Sequence, residues 1–251
     1  MKVYFIGAGP GDPELLTLKA HKIISKIDLC LYAGSLVPRE ILSVAPKKAT
    51  LVDTSNLNLI EIQDYIIKAK EKDFNVARIH SGDVSVYGAL SEQMNMLDQL
   101  NIEYEIIPGI PAYVEAAALL KTELTSPGQV QSVILTRTSF SSTPMPEGED
   151  LVTFAKTGAT LVIHLSIRRM KHITRELSPV IGEDAIVAVL YRIGWPDQLV
   201  IVDRLDNIAI KVRENKITRT ALIITGKNFK KKSQINSVLY DSHHNHLFRP
   251  K

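Results

Sequence analysis

Short runs of apolar residues alternate along the first half of the chain with longer stretches in which apolar positions recur every three or four residues. The short runs end near glycine, proline or polar residues, as buried strands do. They occupy residues 3–6, 29–31, 51–52, 76–80, 104–107 and 133–136. The longer stretches have the spacing of helices that bury one face. They occupy residues 16–27, 59–72, 89–100 and 113–120. This alternation predicts the α/β fold class.

The same alternation resumes after a polar stretch with two prolines at residues 139–150. Strands are predicted at residues 160–165, 186–190, 199–202 and 222–225, and helices at residues 169–177 and 206–213. The polar stretch is the best candidate for a domain boundary, although Pro127-Gly128 is a competing one. We therefore predict two α/β domains, residues 1–137 and residues 138–251, with a polar tail at the end of the second.

Charge and composition narrow the possible partners. The 251 residues include 30 Lys and Arg against 27 Asp and Glu, a net charge of +3, which is too little for a protein that coats nucleic acid. We expect no nucleic-acid partner and, since no apolar run reaches about 18 residues, no membrane span. The single cysteine, Cys30, cannot form an intrachain disulfide, so a cytoplasmic location is expected. Cys30 lies in an apolar run and is expected to be a buried strand residue.

Three glycine-containing loops follow predicted strands, and they are the strongest chemical signals. They are GAGPGDPELLT at residues 7–17, SGDVSVYG at residues 81–88 and PGIPAY at residues 108–113. The first loop is a poor phosphate cradle, because Pro10 and Pro13 lack N–H donors and Asp12 adds a negative charge. A close turn that lets another group approach the backbone is the better interpretation.

All three loops come at the carboxyl ends of predicted strands, where ligands bind in open α/β sheets. We therefore expect them to converge on one pocket. Asp83, in the second loop, has two interpretations that the residues alone leave open. It accepts hydrogen bonds from a ligand, or it caps the following helix.

The three loops, in this order and spacing, resemble those of the tetrapyrrole (corrin/porphyrin) methylase family. The likeness extends over residues 3–249. Four segments are more specific, and they favour the branch that methylates carbon 11 of precorrin-4 or cobalt-precorrin-4. These segments are LYAGSLVP at residues 31–38, LTR at residues 135–137, YRIGWPDQ at residues 191–198 and LYDSHHNHLFR at residues 239–249.

The resemblance implies two α/β domains with the cofactor cleft between them, a homodimer, and S-adenosyl-L-methionine as methyl donor. It also implies the residues that contact this cofactor. In the first domain they are Pro10, Gly82, Asp83, Val86, Pro111 and Ala112. In the second domain they are Leu165, Tyr191, Ile193, Thr220 and Ala221. The substrate would be an acidic tetrapyrrole, and Arg137 and Arg192, at predicted strand ends, are the candidates to bind its carboxylates.

Methyl transfer from a sulfonium needs alignment rather than a covalent nucleophile, so we assign none, and the pattern singles out no general base. The sequence departs from the branch where an arginine is expected at residues 141–142, which hold serines. Other members of the family act on another precorrin or on uroporphyrinogen. A catalytically silent module that binds an adenosyl ligand is the alternative from a different class.

Several residues invite other interpretations. His243, His244 and His246 lie in the polar tail without further ligands at useful spacing, so no metal site is expected. His164 is more typical of a core histidine than of a base. Trp195 is expected to form a packed corner or to lie beside a flat macrocycle.

Overall fold

The computed structural model describes residues 1–140 and 143–229. The chain divides into two compact units. The first, which we call the N-unit, comprises Met1–Ala116 and Arg192–Gln198. The second, the C-unit, comprises Ala117–Tyr191 and the described chain from Leu199 onward. Each unit has a five-stranded sheet, so the predicted α/β fold class is confirmed.

The N-unit sheet is parallel throughout, with strand order β3-β2-β4-β1-β5. Its strands are β1 (Val3–Gly7), β2 (Leu29–Tyr32), β3 (Thr50–Asp53), β4 (Val76–His80) and β5 (Tyr104–Ile107). Every residue of β4 is buried, as expected for a central strand covered on both faces. Because the strands are parallel, the loops after β1, β4 and β5 leave the same edge of the sheet. Since these strands are neighbours, the loops emerge side by side.

Five α-helices connect these strands and lead into the C-unit. They are α1 (Leu18–Ile24), α2 (Arg39–Leu42), α3 (Leu59–Glu71), α4 (Leu90–Gln99) and α5 (Ala112–Leu119). Helix α3 begins with a capping box, since Asn58 accepts from the Glu61 N–H at 3.0 Å and Glu61 accepts from the Asn58 N–H at 2.8 Å. Cys30 packs in an apolar cluster on one face of the sheet, and burial raises the pKa of its thiol to about 12. A thiol that stays protonated at neutral pH is a poor nucleophile.

The C-unit sheet is mixed, with strand order β6-β7-β10-β8-β9. Its strands are β6 (Val133–Arg137), β7 (Thr160–His164), β8 (Ile186–Tyr191), β9 (Leu199–Arg204) and β10 (Ala221–Thr225). Among these five described strands, β6 and β7 pair in parallel, and the other three pairings are antiparallel. The helices are α6 (Leu151–Lys156), α7 (Met170–Ile181) and α8 (Leu205–Glu214). They bury leucines, isoleucines and valines on one continuous core.

The division of the chain differs from the predicted boundary between residues 137 and 138. Strand β6 lies before that boundary, yet it pairs with β7 from Val133↔Thr160 to Arg137↔His164 and so belongs to the C-unit sheet. The change of unit falls after Ala116, inside α5, and Arg192–Gln198 returns to the N-unit. Alternating apolar runs show that strands exist, but they do not show which sheet each strand joins.

No helix in the described ranges is both long enough and apolar enough to span a membrane. Several sequence expectations fall on residues outside those ranges. They are the missing arginine at residues 141–142, the polar tail, and its His243, His244 and His246. Within residues 1–140 and 143–229, no group of three or more His, Cys, Asp or Glu side chains has an arrangement able to hold a metal ion.

Candidate functional site

The three glycine-containing loops contact one another at the carboxyl edge of the N-unit sheet. Gly9 and Gly82 exchange backbone hydrogen bonds of 3.1 and 2.7 Å, which joins the first loop to the second. The Gly109 N–H donates to the Asp83 carboxylate at 2.8 Å, which joins the second loop to the third. The sequence predicted that these loops converge, and in the N-unit they do.

Glycine is required at these contacts because backbone lies where a side chain would begin. A Cβ on Gly7 would lie 2.6 Å from the Gly109 nitrogen, and a Cβ on Gly109 would lie 2.5 Å from the Gly7 carbonyl carbon. Both distances are well below a van der Waals contact. Gly82 is different, since its Cβ would lie 3.8 Å from Pro111 and Ala112. Of the predicted cofactor residues, Gly82, Asp83, Pro111 and Ala112 are thus brought together. Pro10 is buried next to Gly9.

Both carboxylate oxygens of Asp83 hold the loops in place. Oδ2 accepts from the Gly109 N–H, and Oδ1 accepts from the N–H and hydroxyl of Ser85. Burial raises the pKa of Asp83, but the hydrogen bonds from Ser85 and Gly109 together lower it further, so the net pKa lies below its ordinary value. The interpretation that Asp83 caps the next helix is wrong, because α4 begins at Leu90 and has Ala89 at its N-cap.

Asp83→Ala should therefore weaken binding of the adenosyl ligand that the family resemblance implies by tenfold or more, because the Gly109 N–H loses its acceptor and the third loop is released. Asp83→Asn, whose side-chain oxygen still accepts one hydrogen bond, should lose less. Calorimetric titration with S-adenosyl-homocysteine measures both variants. Unchanged affinity in Asp83→Ala would show that the loops hold their positions without this carboxylate.

His80, the last residue of β4, is a buried imidazole beside the second loop. Its ring packs against Phe5 with centroids 6.2 Å apart, and its Nε2 has no hydrogen-bond partner among the described residues. Burial, with a smaller contribution from the Arg78 charge, lowers the pKa of His80 to about 4. The imidazole is therefore neutral in the folded protein at neutral pH.

This shift predicts a loss of stability in mild acid. The folded state binds fewer protons than the unfolded state below the unfolded pKa of 6.5, so stability falls as the pH drops from there towards 4. Between pH 7.5 and pH 5, His80 alone should cost about 2 kcal/mol of unfolding free energy. Urea unfolding of His80→Gln should show a shallower pH dependence, with the exposed His21→Gln as matched control. Equal slopes for all three proteins would contradict the assignment.

The segment Arg192–Gln198 packs on the first loop, which the sequence did not indicate. A Cβ on Gly11 would lie 2.6 Å from the Ile193 carbonyl oxygen and 2.5 Å from the Trp195 ring. Trp195 therefore forms a packed corner, one of its two expected roles. The Arg192 guanidinium stacks on this ring, with its Cζ 3.7 Å from the ring centroid. Its Nε forms an ion pair with Asp197 Oδ1 at 2.6 Å. Ile193, assigned by sequence to the second domain, thus belongs to the N-unit.

The other second-domain candidates share one end of the C-unit sheet. Ala221 pairs with Tyr191 across β10 and β8, and Leu165 directly follows β7, the antiparallel neighbour of β10. Leu165 is 62% exposed and has a φ of 56°, and Thr220 has a φ of 52°. Non-glycine residues with positive φ are uncommon and tend to lie at ligand sites. Both candidates thus have an uncommon backbone conformation at the same end of the sheet.

Arg137, the second candidate for a substrate carboxylate, contacts its own loop. Its guanidinium donates to the carbonyl oxygens of Thr138, Thr143 and Pro144 at 3.2, 2.8 and 3.4 Å. These bonds hold the loop that follows β6. An arginine that satisfies three carbonyls has fewer donors left for a ligand than the sequence suggested.

Sequence reasoning missed Glu115, in the first turn of α5. Its Oε2 is buried without a hydrogen-bond partner among the described residues. Burial and then the charge of Asp12 in the first loop raise the pKa of Glu115, the opposite direction to Asp83. The signal was available in the sequence, since this is an acidic residue in the apolar helix AYVEAAAL just after Pro111-Ala112.

Comparison with known proteins identifies the family. Residues 2–209 match the family described as Tetrapyrrole (Corrin/Porphyrin) Methylases. A precorrin-4 C(11)-methyltransferase of Sinorhizobium sp is 43% identical over 249 residues, covering 99% of this chain and 98% of that protein. The protein of the same name from Pseudomonas aeruginosa is 45% identical over 250 residues, covering 100% of this chain and 99% of that protein.

Solved structures agree with the sequence relatives. A cobalt precorrin-4 methyltransferase superposes with a TM-score of 0.86 at 36% identity, covering 90% of this chain and 94% of that one. A uroporphyrin-III C-methyltransferase from Thermus thermophilus, complexed with S-adenyl homocysteine, superposes with a TM-score of 0.73 at 26% identity, covering 92% of this chain and 99% of that one. The chain therefore belongs to the tetrapyrrole (corrin/porphyrin) methylase family.

Proposed function

We propose that this protein transfers a methyl group from S-adenosyl-L-methionine to carbon 11 of precorrin-4, or of its cobalt complex, in cobalamin biosynthesis. One observation carries the proposal: proteins named for this reaction match the chain over nearly its whole length, at 43% and 45% identity. A methyltransferase for another tetrapyrrole is the nearest competitor, since the uroporphyrinogen III enzyme of Methanosarcina barkeri is 31% identical over 232 residues.

The N-unit residues fit an adenosyl ligand. The converging loops bring the backbone of Gly82 next to that of Pro111 and Ala112, since a Cβ added to Gly82 would lie 3.8 Å from both. Glycine at this position lets another group approach the backbone closely. We propose that Pro10 and Val86, with these three residues, contact the methyl donor, and that Asp83 holds the second and third loops at the spacing the donor needs. Ile193 belongs to this N-unit set.

Four further contacts are proposed in the C-unit. They are Leu165, Tyr191, Thr220 and Ala221, which share one end of its sheet. The exposed Leu165 and the half-buried Tyr191 offer apolar surface, which suits a flat adenine ring.

The bound donor supplies an electrophilic methyl group on a sulfonium, so the protein needs no covalent nucleophile. Its residues contribute by holding both reactants in line and by excluding water, and such positioning is worth roughly 7–11 kcal/mol of the barrier. Among the Asp and Glu side chains that the structure describes, Glu115 is the one with a raised pKa, and it lies near Asp12 of the first loop. A raised pKa favours the protonated form, so this carboxyl is the described group best suited to hold a proton there.

The acceptor in this proposal is an acidic tetrapyrrole, and Arg192 is its strongest candidate ligand among the two arginines. Stacking on Trp195 and pairing with Asp197 fix the guanidinium plane, which lowers the entropy lost when it binds a carboxylate. Arg137 stays in the proposal in a lesser role, because its donors already face loop carbonyls.

We also propose that the protein is a cytoplasmic homodimer that does not bind nucleic acid. The N-unit supports self-association, since Val114 on the apolar helix α5 is 46% exposed and Ile106 on the edge strand β5 is 43% exposed. Exposed apolar residues on a sheet edge and on an apolar helix are features that protein interfaces use. Light scattering of the intact chain and of Val114→Asp measures this directly, and a monomeric wild-type protein would overturn it.

The reaction is tested with donor carrying an isotopic methyl label and a set of acceptors. Precorrin-4 and cobalt-precorrin-4 should take the label, and uroporphyrinogen III should take at least tenfold less. Preferential labelling of uroporphyrinogen III would replace the proposed substrate. Donor binding without labelling of any acceptor would support the silent module instead.

A further inference from the structure

The C-unit contains a cavity of about 480 Å³ that none of the proposed methyl-transfer residues lines. It lies where β10 ends and where β7 and β8 begin, since Thr225 pairs with Leu161 and Val187. Ala221, at the other end of β10, is four residues away, or about 14 Å along the strand. The cavity is therefore separate, within this unit, from the residues proposed for the adenine.

Most of the cavity wall is hydrocarbon. Helices α6 and α7 and the starts of β7 and β8 supply it, with Ala155, Leu161, Val180, Ile181, Ala185 and Ile186. Its volume falls in the range of small-molecule sites, and apolar ligands gain free energy when they leave water for such a wall. A ligand with an aliphatic or aromatic body therefore fits this wall best.

The charged part of the lining is positive. Lys156 and Lys227, both exposed, line the cavity, and no acidic side chain among the described residues does. The Lys227 ammonium lies close above Gly158, since a Cβ on Gly158 would be 3.2 Å from Nζ. Neither lysine has an ion-pair partner within the part of the chain that the structure describes. Two cations without an ion-pair partner among the described residues, beside an apolar wall, complement a ligand with an anionic head and an apolar body.

We propose that this cavity binds a small amphiphilic carboxylate, with its apolar body between α6, α7 and the sheet and its carboxylate between Lys156 and Lys227. The site is independent of the methyl-transfer reaction. Its occupant therefore neither competes with the adenosyl ligand nor needs the tetrapyrrole.

Decanoate, below its micelle concentration, is a suitable probe in calorimetric titration of the full-length protein. We expect one site per chain. Decanol, which lacks the charge, and decyltrimethylammonium, which reverses it, should each bind at least tenfold more weakly. Affinity for S-adenosyl-homocysteine should be the same with and without decanoate. No decanoate binding at millimolar concentration, or equal binding of the three amphiphiles, would overturn the proposal.

Variants separate the site from nonspecific binding. Lys156→Gln with Lys227→Gln should weaken decanoate binding at least tenfold, and both positions are exposed, so the fold should tolerate them. The matched control is Lys171→Gln with Lys216→Gln, exposed positions that do not line the cavity. Ala155→Leu, which narrows the cavity, should also abolish binding.

Thermal unfolding checks that each variant is folded. Equal affinities in the test and control pairs would contradict the site.

Discussion

Gly109→Ala should abolish measurable binding of S-adenosyl-homocysteine and destabilise the protein. The added Cβ would meet the Gly82 carbonyl oxygen and the Gly7 carbonyl carbon, which are backbone atoms of the other two loops and cannot rotate away. Overpacking of this kind costs about 1–3 kcal/mol or more of unfolding free energy. The third loop can relieve this collision only by moving away from Asp83. That movement would displace Pro111 and Ala112.

The matched control is Gly148→Ala, where the added Cβ has no atom of the described residues within 4 Å. Gly148 has a φ of 80°, so this control has an unfavourable backbone conformation but no collision. Calorimetry for affinity and urea unfolding for stability are measured on both variants. Wild-type affinity in folded Gly109→Ala would show that the convergence of the loops is not what forms the adenosyl site.

Arg192→Ala should lower kcat/KM for the tetrapyrrole acceptor by tenfold or more, equivalent to about 1.4 kcal/mol. The guanidinium is held by Trp195 and Asp197, so it is already oriented when a substrate carboxylate arrives. Arg192→Lys keeps the charge but loses the planar stack, and it should recover only part of the activity. Arg137→Ala should have a smaller effect, through its loop.

Affinity for the adenosyl ligand separates two roles of Arg192. If Arg192 binds the acceptor, Arg192→Ala should leave the affinity for the adenosyl ligand within about twofold of wild type. If it only fixes the Arg192–Gln198 segment on Gly11, cofactor affinity and acceptor turnover should fall together. Asp197→Asn, which removes the ion pair but leaves the guanidinium, is the matched control. Normal acceptor kinetics in Arg192→Ala would remove it from the acceptor site.

The part of the site predicted best from the sequence depends on local signals. Short apolar runs ending in glycine indicated β1, β4 and β5, and parallel strands put their loops at one edge. The shared edge brought Gly82, Asp83, Pro111 and Ala112 together as expected.

The features that sequence reasoning missed depend on contacts between distant residues. The packing of Trp195 on Gly11 joins positions far apart in the chain, and no local pattern encodes it. The pairing of β6 with β7 moved the unit boundary for the same reason. Asp83 was predicted as a ligand contact or a helix cap. Its use of both oxygens to join two loops depends on where Gly109 lies after folding.

The most direct test of the proposed function is the position of the new methyl group. The protein is incubated with S-adenosyl-L-methionine carrying a ¹³C methyl group and with precorrin-4, and the product is examined by NMR. We expect one labelled methyl per macrocycle, attached to carbon 11, and the same position of the label when cobalt-precorrin-4 is the acceptor. A labelled methyl on any other carbon, or an unlabelled macrocycle in the presence of protein that binds S-adenosyl-homocysteine, would contradict it.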